Sequence, residues 1–192
     1  MQARLESVEQ TRRRITEATM NLHETVGPAA TTVAAIAEEA GVTRLTVYRH
    51  FPDEDALFAA CSAHWRELHP RPDVDEWRAV ADPGQRLRLA LSETYDWSAS
   101  AAPMMTKINR DLPSLPPFVG EFLSRDEVLR VSVLARGFGC RGRAAVRLRG
   151  VLAHALRVET WESLCIAGGL HRDEAVELMT AAVLAAVPAR TA

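Results

Sequence analysis

Thr31-Thr32-Val33-Ala34-Ala35-Ile36-Ala37-Glu38-Glu39-Ala40-Gly41-Val42-Thr43-Arg44-Leu45-Thr46-Val47-Tyr48-Arg49-His50-Phe51 reads as two short helices joined at one glycine. Val33, Ile36, Ala37 and Ala40 recur at three- and four-residue spacing, the signature of one buried helical face, and Thr31 or Thr32 can cap its start. Gly41 falls where that helix must stop, at a backbone position that only glycine adopts without strain. Thr43 can cap a second helix with Val47 and Phe51 facing inward. The remaining faces then carry Arg44, Thr46, Tyr48, Arg49 and His50. A short helix bearing guanidinium, hydroxyl, phenol and imidazole groups suits the base edges and phosphates of a major groove.

Helix-turn-helix spacing alone is weak evidence, because many core helix pairs turn at a glycine. The ending Thr46-x-Tyr48-x-His50-Phe51, followed by Pro52-Asp53-x-x-x-Leu57-Phe58, is more specific. Together with Ile36-Ala37 and Gly41-Val42-Thr43, it closely resembles the TetR family of transcriptional regulators. The resemblance implies an all-α homodimer with an N-terminal three-helix helix-turn-helix domain and a C-terminal helical domain for ligand binding and dimerisation. It also implies a ligand-responsive repressor, released from an inverted-repeat operator in double-stranded DNA by a small apolar or aromatic effector.

The chain has 192 residues, 47% hydrophobic and 25% charged, which are ordinary values for a folded protein with a substantial core. No apolar run approaches the ~20 residues that cross a bilayer, and Met1-Gln2-Ala3-Arg4-Leu5-Glu6 has no signal-peptide core. The expectation is a cytoplasmic protein that does not engage a membrane. Cys61, Cys140 and Cys165 are too scattered for a disulfide framework or a local zinc motif, so neither metal nor cofactor is expected and buried thiols are favoured. A net charge of −2 argues against indiscriminate coating of nucleic acid, but not against a sequence-specific dimer.

Working outward, the first helix is predicted over about Val8–Val26, with Ile15, Ala18, Leu22 and Val26 buried and Gly27-Pro28 as the stop. Arg12, Arg13 and Arg14 are either a solvated face or, as favoured here, partly phosphate contacts. The fourth helix begins after Pro52-Asp53, with Leu57, Phe58, Cys61, Trp65 and Leu68 inward and Pro70-Arg71-Pro72 beyond its end. These signals divide the chain into a helix-turn-helix domain (1–52), a connecting helix (53–69) and a remainder (70–192), for which the resemblance implies ligand binding and dimerisation.

In the last part, a helix is expected from Asp82-Pro83 to about Ser98, and a shorter one starts at Pro103. Another follows Pro116-Pro117 to about Arg136, with Ser124-x-x-Glu127 as a candidate break. A long helix with Leu148, Val151, Leu152, Ala155 and Leu156 should continue to Ile166 and stop at Gly168-Gly169. The final helix spans Asp173–Val187, with the stripe Ala175, Leu178, Met179, Ala182, Val183 and Ala186. The resemblance implies that the last two helices pair with their symmetry mates.

The expected DNA-binding residues are Thr32, Thr43, Arg44, Leu45, Thr46, Tyr48, Arg49 and His50. Thr32 and Thr43 combine capping with phosphate contact, Arg44 suits guanine O6 and N7, and Leu45 suits a thymine methyl. Thr46 and Tyr48 suit phosphate or sugar, and Arg49 and His50 suit either phosphate or base. Ala34 and Ala35 stand where the family often has a basic residue, and Asp53 and Glu54 where it often has lysine. Both departures shift weight to the arginines.

Trp97, Met104, Met105, Phe118, Phe122 and Trp161 supply apolar surface for a ligand, with His154 as a polar anchor. Taken singly, each fits core packing; as a group, some should line a cavity. Arg130, Arg136, Arg141, Arg143, Arg147, Arg149 and Arg157 form an acid-free basic stretch, read as a solvated face. Two other functions remain: a ligand-independent DNA-binding activator or architectural protein, and an all-α enzyme. The second has no catalytic motif to support it, so no catalytic residue is assigned.

Overall fold

The computed structural model describes residues 2–188, and every regular element among them is helical. Residue 1 and residues 189–192, at the ends of the first and last expected domains, lie outside the described residues. The helices are α1 (Gln2–Thr25), α2 (Val33–Glu39), α3 (Arg44–His50), α4 (Glu54–Leu68), α5 (Val74–Ala79) and α6 (Pro83–Asp111). They continue with α7 (Pro117–Ala135), α8 (Gly142–Ala155), α9 (Val158–Trp161) and α10 (Arg172–Ala185). The chain divides into two compact units, one of residues 1–70 and 103–117, the other of residues 71–102 and 118–192. Residues 103–117 therefore group with the N-terminal segment, although they follow the fourth helix by more than thirty positions.

In the first unit, α1 is longer than its apolar stripe suggested, because Ala3, Arg4, Leu5 and Glu6 are good helix formers that extend it towards the N-terminus. Ile15, Ala18, Ile36, Ala37, Ala40, Val47, Phe51 and Leu57 form one buried cluster, with Leu22, Val33, Val42 and Ala60 packed around it. Val26 and Leu68, expected to face inward, are exposed. Both lie at a helix end, where the apolar period outruns the partner that could cover it. The α1–α4 pairing is pinned by the Trp65 indole N–H, which donates to Glu24 Oε1 at 2.9 Å.

Three expectations for the second half are corrected. Helix α6 runs unbroken through Pro103. Proline removes one backbone donor and crowds the preceding turn, but the flanking Ala99-Ser100-Ala101-Ala102 is strongly helical and Ala101 and Ala102 are buried. The Ser124-x-x-Glu127 box does not break α7. The long helix expected through Ile166 instead breaks after Ala155. Arg157 is extended, α9 restarts at Val158, and Glu162–Ala167 continues as a π-helix with Gly168 N–H reaching back to Ser163 O at 2.9 Å. At the break, the Thr160 hydroxyl donates to His154 O at 2.6 Å, a carbonyl that also accepts the Arg157 N–H at 3.2 Å.

Candidate nucleic-acid interface

Capping fixes both helices of the pair. Ala35 N–H donates to Thr32 Oγ1 and Thr46 N–H to Thr43 Oγ1, each at 3.2 Å. Gly41 has φ +62°, and a Cβ there would lie 3.3 Å from an Arg14 guanidinium nitrogen. The turn is therefore made by glycine for conformation and also for room.

Arg12 and Arg14 have a role that sequence reasoning did not find. Arg14 donates from Nε to Ala40 O at 3.2 Å and from Nη2 to Gly41 O at 3.1 Å, so it caps the end of α2. Arg12 donates to His50 O at 2.7 Å and stands 4.2 Å from the Phe51 ring centroid, so it caps the end of α3. Helix C-termini expose carbonyls and carry the negative end of the helix dipole, which explains why cations are held there. The expected phosphate role of the triplet is thus revised for these two residues: their guanidiniums brace the reading helices. Arg13 is exposed and paired with Glu17 at 3.5 Å. No periodicity could have revealed this bracing, because it depends on which turn of α1 crosses the loop.

On that scaffold, α3 buries Val47 and leaves Arg44, Leu45, Tyr48 and Arg49 exposed. Leu45 is 76% exposed and Tyr48 51%, large values for apolar and aromatic side chains in a folded unit. Thr43 and Thr46 share a hydroxyl–hydroxyl hydrogen bond of 3.0 Å, which holds both at the start of the helix. His50 is half-buried; burial, reinforced by the Arg49 and Arg12 charges, lowers its pKa from the ordinary value. It stands beside two guanidiniums as a neutral imidazole at neutral pH.

The turn leading into this pair is locked from a distant part of the chain. Gly27 has φ +97°, and a Cβ there would collide with Arg110 and Asp111, the last residues of α6. Ala29 N–H donates to Asp111 Oδ2 at 3.1 Å, and Arg110 donates to Val26 O at 3.0 Å. The Arg110 hydrogen bond, joined by the Ala29 N–H, holds the Asp111 carboxyl below its ordinary pKa despite desolvation. Nearby, buried His23 packs against Phe58 with ring centroids 5.3 Å apart and planes tilted by 37°, and its Nδ1 lies 3.7 Å from Cys61 Sγ. Burial outweighs the Asp111 charge and lowers the His23 pKa to about 4, while Cys61 is pushed up to about 12 by burial. Cys61 is therefore a packed thiol rather than a reactive one.

The expected ligand residues fall in different surroundings. Met104 and Met105 are buried in the first unit. Trp97, Phe118, Phe122, His154 and Trp161 belong to the second. There Trp161 is buried, Trp97 half-buried, and Phe118, Phe122 and His154 exposed. Three buried hydroxyls of the second unit, Thr94, Tyr95 and Thr180, have no hydrogen-bond partner. Such groups cost free energy unless something bonds to them.

A capped, braced helix pair with an exposed basic and aromatic second helix defines a helix-turn-helix DNA-binding domain. Residues 15–61 match the family described as "Bacterial regulatory proteins, tetR family". Among curated relatives, it is 30% identical over 95 residues to the HTH-type transcriptional regulator BetI of Paraburkholderia xenovorans, covering 49% of each chain. The chain thus spans about half the length of the curated relatives it matches. Its fold is shared with a TetR family transcription regulator from Marinobacter aquaeolei, with TM-score 0.65 at 20% identity over 99% of this chain and 100% of that one. It is shared too with LfrR from Mycobacterium smegmatis, solved in complex with proflavine, with TM-score 0.54 at 19% identity over 94% and 98%.

Proposed function

We propose that this protein is a cytoplasmic, ligand-responsive repressor that binds an inverted-repeat DNA operator as a homodimer and is released by a small apolar or aromatic molecule. The observation that carries the reading is α3 itself: four large, chemically diverse side chains stand exposed on a helix fixed at both ends. Arg44 reads a base, Leu45 a thymine methyl, and Thr32, Thr43, Thr46 and Tyr48 hold backbone; Arg49 and His50 serve either purpose. Residues 1–52 carry DNA reading, 53–69 connect, and 70–192 carry ligand and dimer contacts.

The second copy is held by the last two helices. On α10, Ala175, Met179 and Val183 are buried within the protomer, whereas Leu178, Ala181, Ala182 and Ala185 form an exposed apolar face. On α8, Val146 is exposed too. An apolar helical face rimmed by polar residues fits a symmetric helix-pair interface.

Coupling runs along α6, whose final residues lock the Gly27 turn. Recognition helices must stand about 34–36 Å apart to enter successive major grooves, so a small shift of that lock spoils the fit. A ligand drives the shift only if it binds the non-binding arrangement more tightly, with a coupling of about 1–3 kcal/mol.

Selection of duplex sequences followed by footprinting tests this function. The expected result is dyad-symmetric protection. Arg44→Ala should relax one base pair per half-site, and Tyr48→Phe should weaken all sequences alike. Protection without a dyad, or an Arg44→Ala variant with unaltered preference, would count against the reading.

A further inference from the structure

Arg71 stands between Pro70 and Pro72, three positions beyond the end of α4, and its side chain is seated inside the second unit. Its guanidinium carbon lies 4.8 Å from the Trp97 ring centroid and 5.8 Å from that of Phe122. Its Nη1 donates to Asp126 Oδ2. Asp126 also accepts from Arg130 Nε at 2.7 Å, and Arg130 in turn lies 5.2 Å from the Trp77 ring centroid. The Arg71 and Asp126 side chains are 20% and 18% exposed, so the pair is largely desolvated. Phe122 keeps 40% of its surface in solvent and forms the open wall.

Two aromatic faces and a carboxylate around one cation is the chemistry by which proteins recognise organic ammonium and guanidinium compounds. Here the chain's own arginine fills it. We propose that the seat made by Trp97, Phe122 and Asp126 is the effector site, and that the effector is an organic cation that takes the place of the Arg71 guanidinium. This deepens the ligand-responsive reading above and rests on it.

Exchange of one monocation for another leaves the charge of the seat unchanged. Asp126 keeps Arg130 throughout, so no step leaves its carboxylate buried and unpaired, the costly state for such a group. A neutral ligand would leave the ring faces without a cation, and an anion would meet the Asp126 carboxylate. Release of Arg71 frees the Pro70–Pro72 segment from its anchor on α7. That segment leads directly out of α4 along the chain, so occupancy of the seat is reported to the connecting helix. A tethered side chain competes at high effective concentration, so the unchanged chain binds the cation weakly, and loss of Arg71 raises affinity.

The test uses benzyltrimethylammonium and its uncharged tert-butyl analogue, neopentylbenzene, titrated into the full chain by tryptophan fluorescence and calorimetry. Arg71→Ala should bind the ammonium at least tenfold more tightly than the unchanged chain, and at least tenfold more tightly than it binds the neutral analogue. Adding Asp126→Asn should abolish that discrimination. If Arg71→Ala does not fold, Arg71→Gln replaces it, and Trp97→Leu in the otherwise unchanged chain must weaken the ammonium. Equal ammonium affinity with and without Arg71, or equal binding of the neutral analogue, overturns the proposal. Operator release by neutral aromatic compounds alone would keep the ligand-responsive reading and overturn the cation assignment. Ammonium binding in the seat with unaltered operator affinity would do the reverse, leaving a cation site that is not an effector site.

Discussion

The two units handle their polar groups in opposite ways. In the first, Arg12, Arg14, Arg110 and Asp111 each bond to a backbone carbonyl or amide at a helix end or turn. Polar side chains there set backbone geometry, and an exposed reading helix is the result. In the second unit, Thr94, Tyr95 and Thr180 are buried with no partner, the penultimate helix breaks into a π-helix, and apolar residues of α8 and α10 stay exposed. Rigid presentation of one surface needs every local group satisfied; binding a ligand or a second copy needs groups left open. The contrast fits the proposed division into a DNA-reading part and a sensing part, and each half of it can be attacked.

Gly27→Val attacks the first unit hardest. The β-branched side chain is strained at φ +97° and collides with Arg110 and Asp111, so a loss of roughly 3 kcal/mol or more is expected. Chemical denaturation would measure it, and a stability near that of the unchanged chain would show that the lock is dispensable. For the second unit, Ala182→Glu places a charge on the exposed face of α10 and should convert the proposed dimer to monomer without lowering helical content. Val183 is wholly buried within the protomer, so Val183→Arg should unfold the unit instead. Sedimentation and circular dichroism separate the two outcomes, and an intact Ala182→Glu dimer would move the interface elsewhere.

A smaller effect follows from His23. Its folded pKa of about 4 lies below the ordinary 6.5, so between these values the unfolded chain binds a proton that the folded one does not. Stability is therefore complete above pH 6.5 and falls as the pH drops towards 4, by about 3 kcal/mol in all. Denaturant midpoints from pH 7 to 4.5 should show this slope, and His23→Gln should flatten it; an identical slope in the variant would assign the proton elsewhere. The smallest change expected is Tyr95→Phe. Removing a buried hydroxyl with no partner should leave the melting temperature unchanged or raise it slightly, by up to about 1 kcal/mol of stability. A clear loss of stability would mean that the hydroxyl is satisfied in solution.

Legibility differed between the halves for the same reason. The helix-turn-helix is built from contacts within a few residues: Thr32 to Ala35, Thr43 to Thr46, and Gly41 at its turn. Local contacts leave a local signature, and both caps were predicted where they occur. The Asp82 cap, which accepts from Gln85 N–H at 2.7 Å, was legible on the same grounds. Pro103 misled because a proline reads as a helix start, while buried neighbours carry α6 straight through it. The break at Leu156–Arg157 was invisible because the apolar period continues across it. On α10, one stripe was predicted where the structure has two faces, since spacing cannot tell a face covered within the protomer from one left open.

Arg12, Arg14 and Arg71 show where sequence reasoning stops. As isolated residues they look like surface cations, and nothing nearby in the chain names His50, Ala40 or Asp126 as partners. The sequence by itself determined the helical class, the capped pair with its exposed Arg44, Leu45, Tyr48 and Arg49, and the starts of α4 and α6, because each depends on short-range backbone preferences. Only the tertiary structure decided which arginines brace the reading helices, that α6 returns to lock the Gly27 turn, and that Arg71 fills an aromatic seat. Those pairings join residues 26 to 84 positions apart, and no local periodicity encodes which turn of one helix will meet which turn of another.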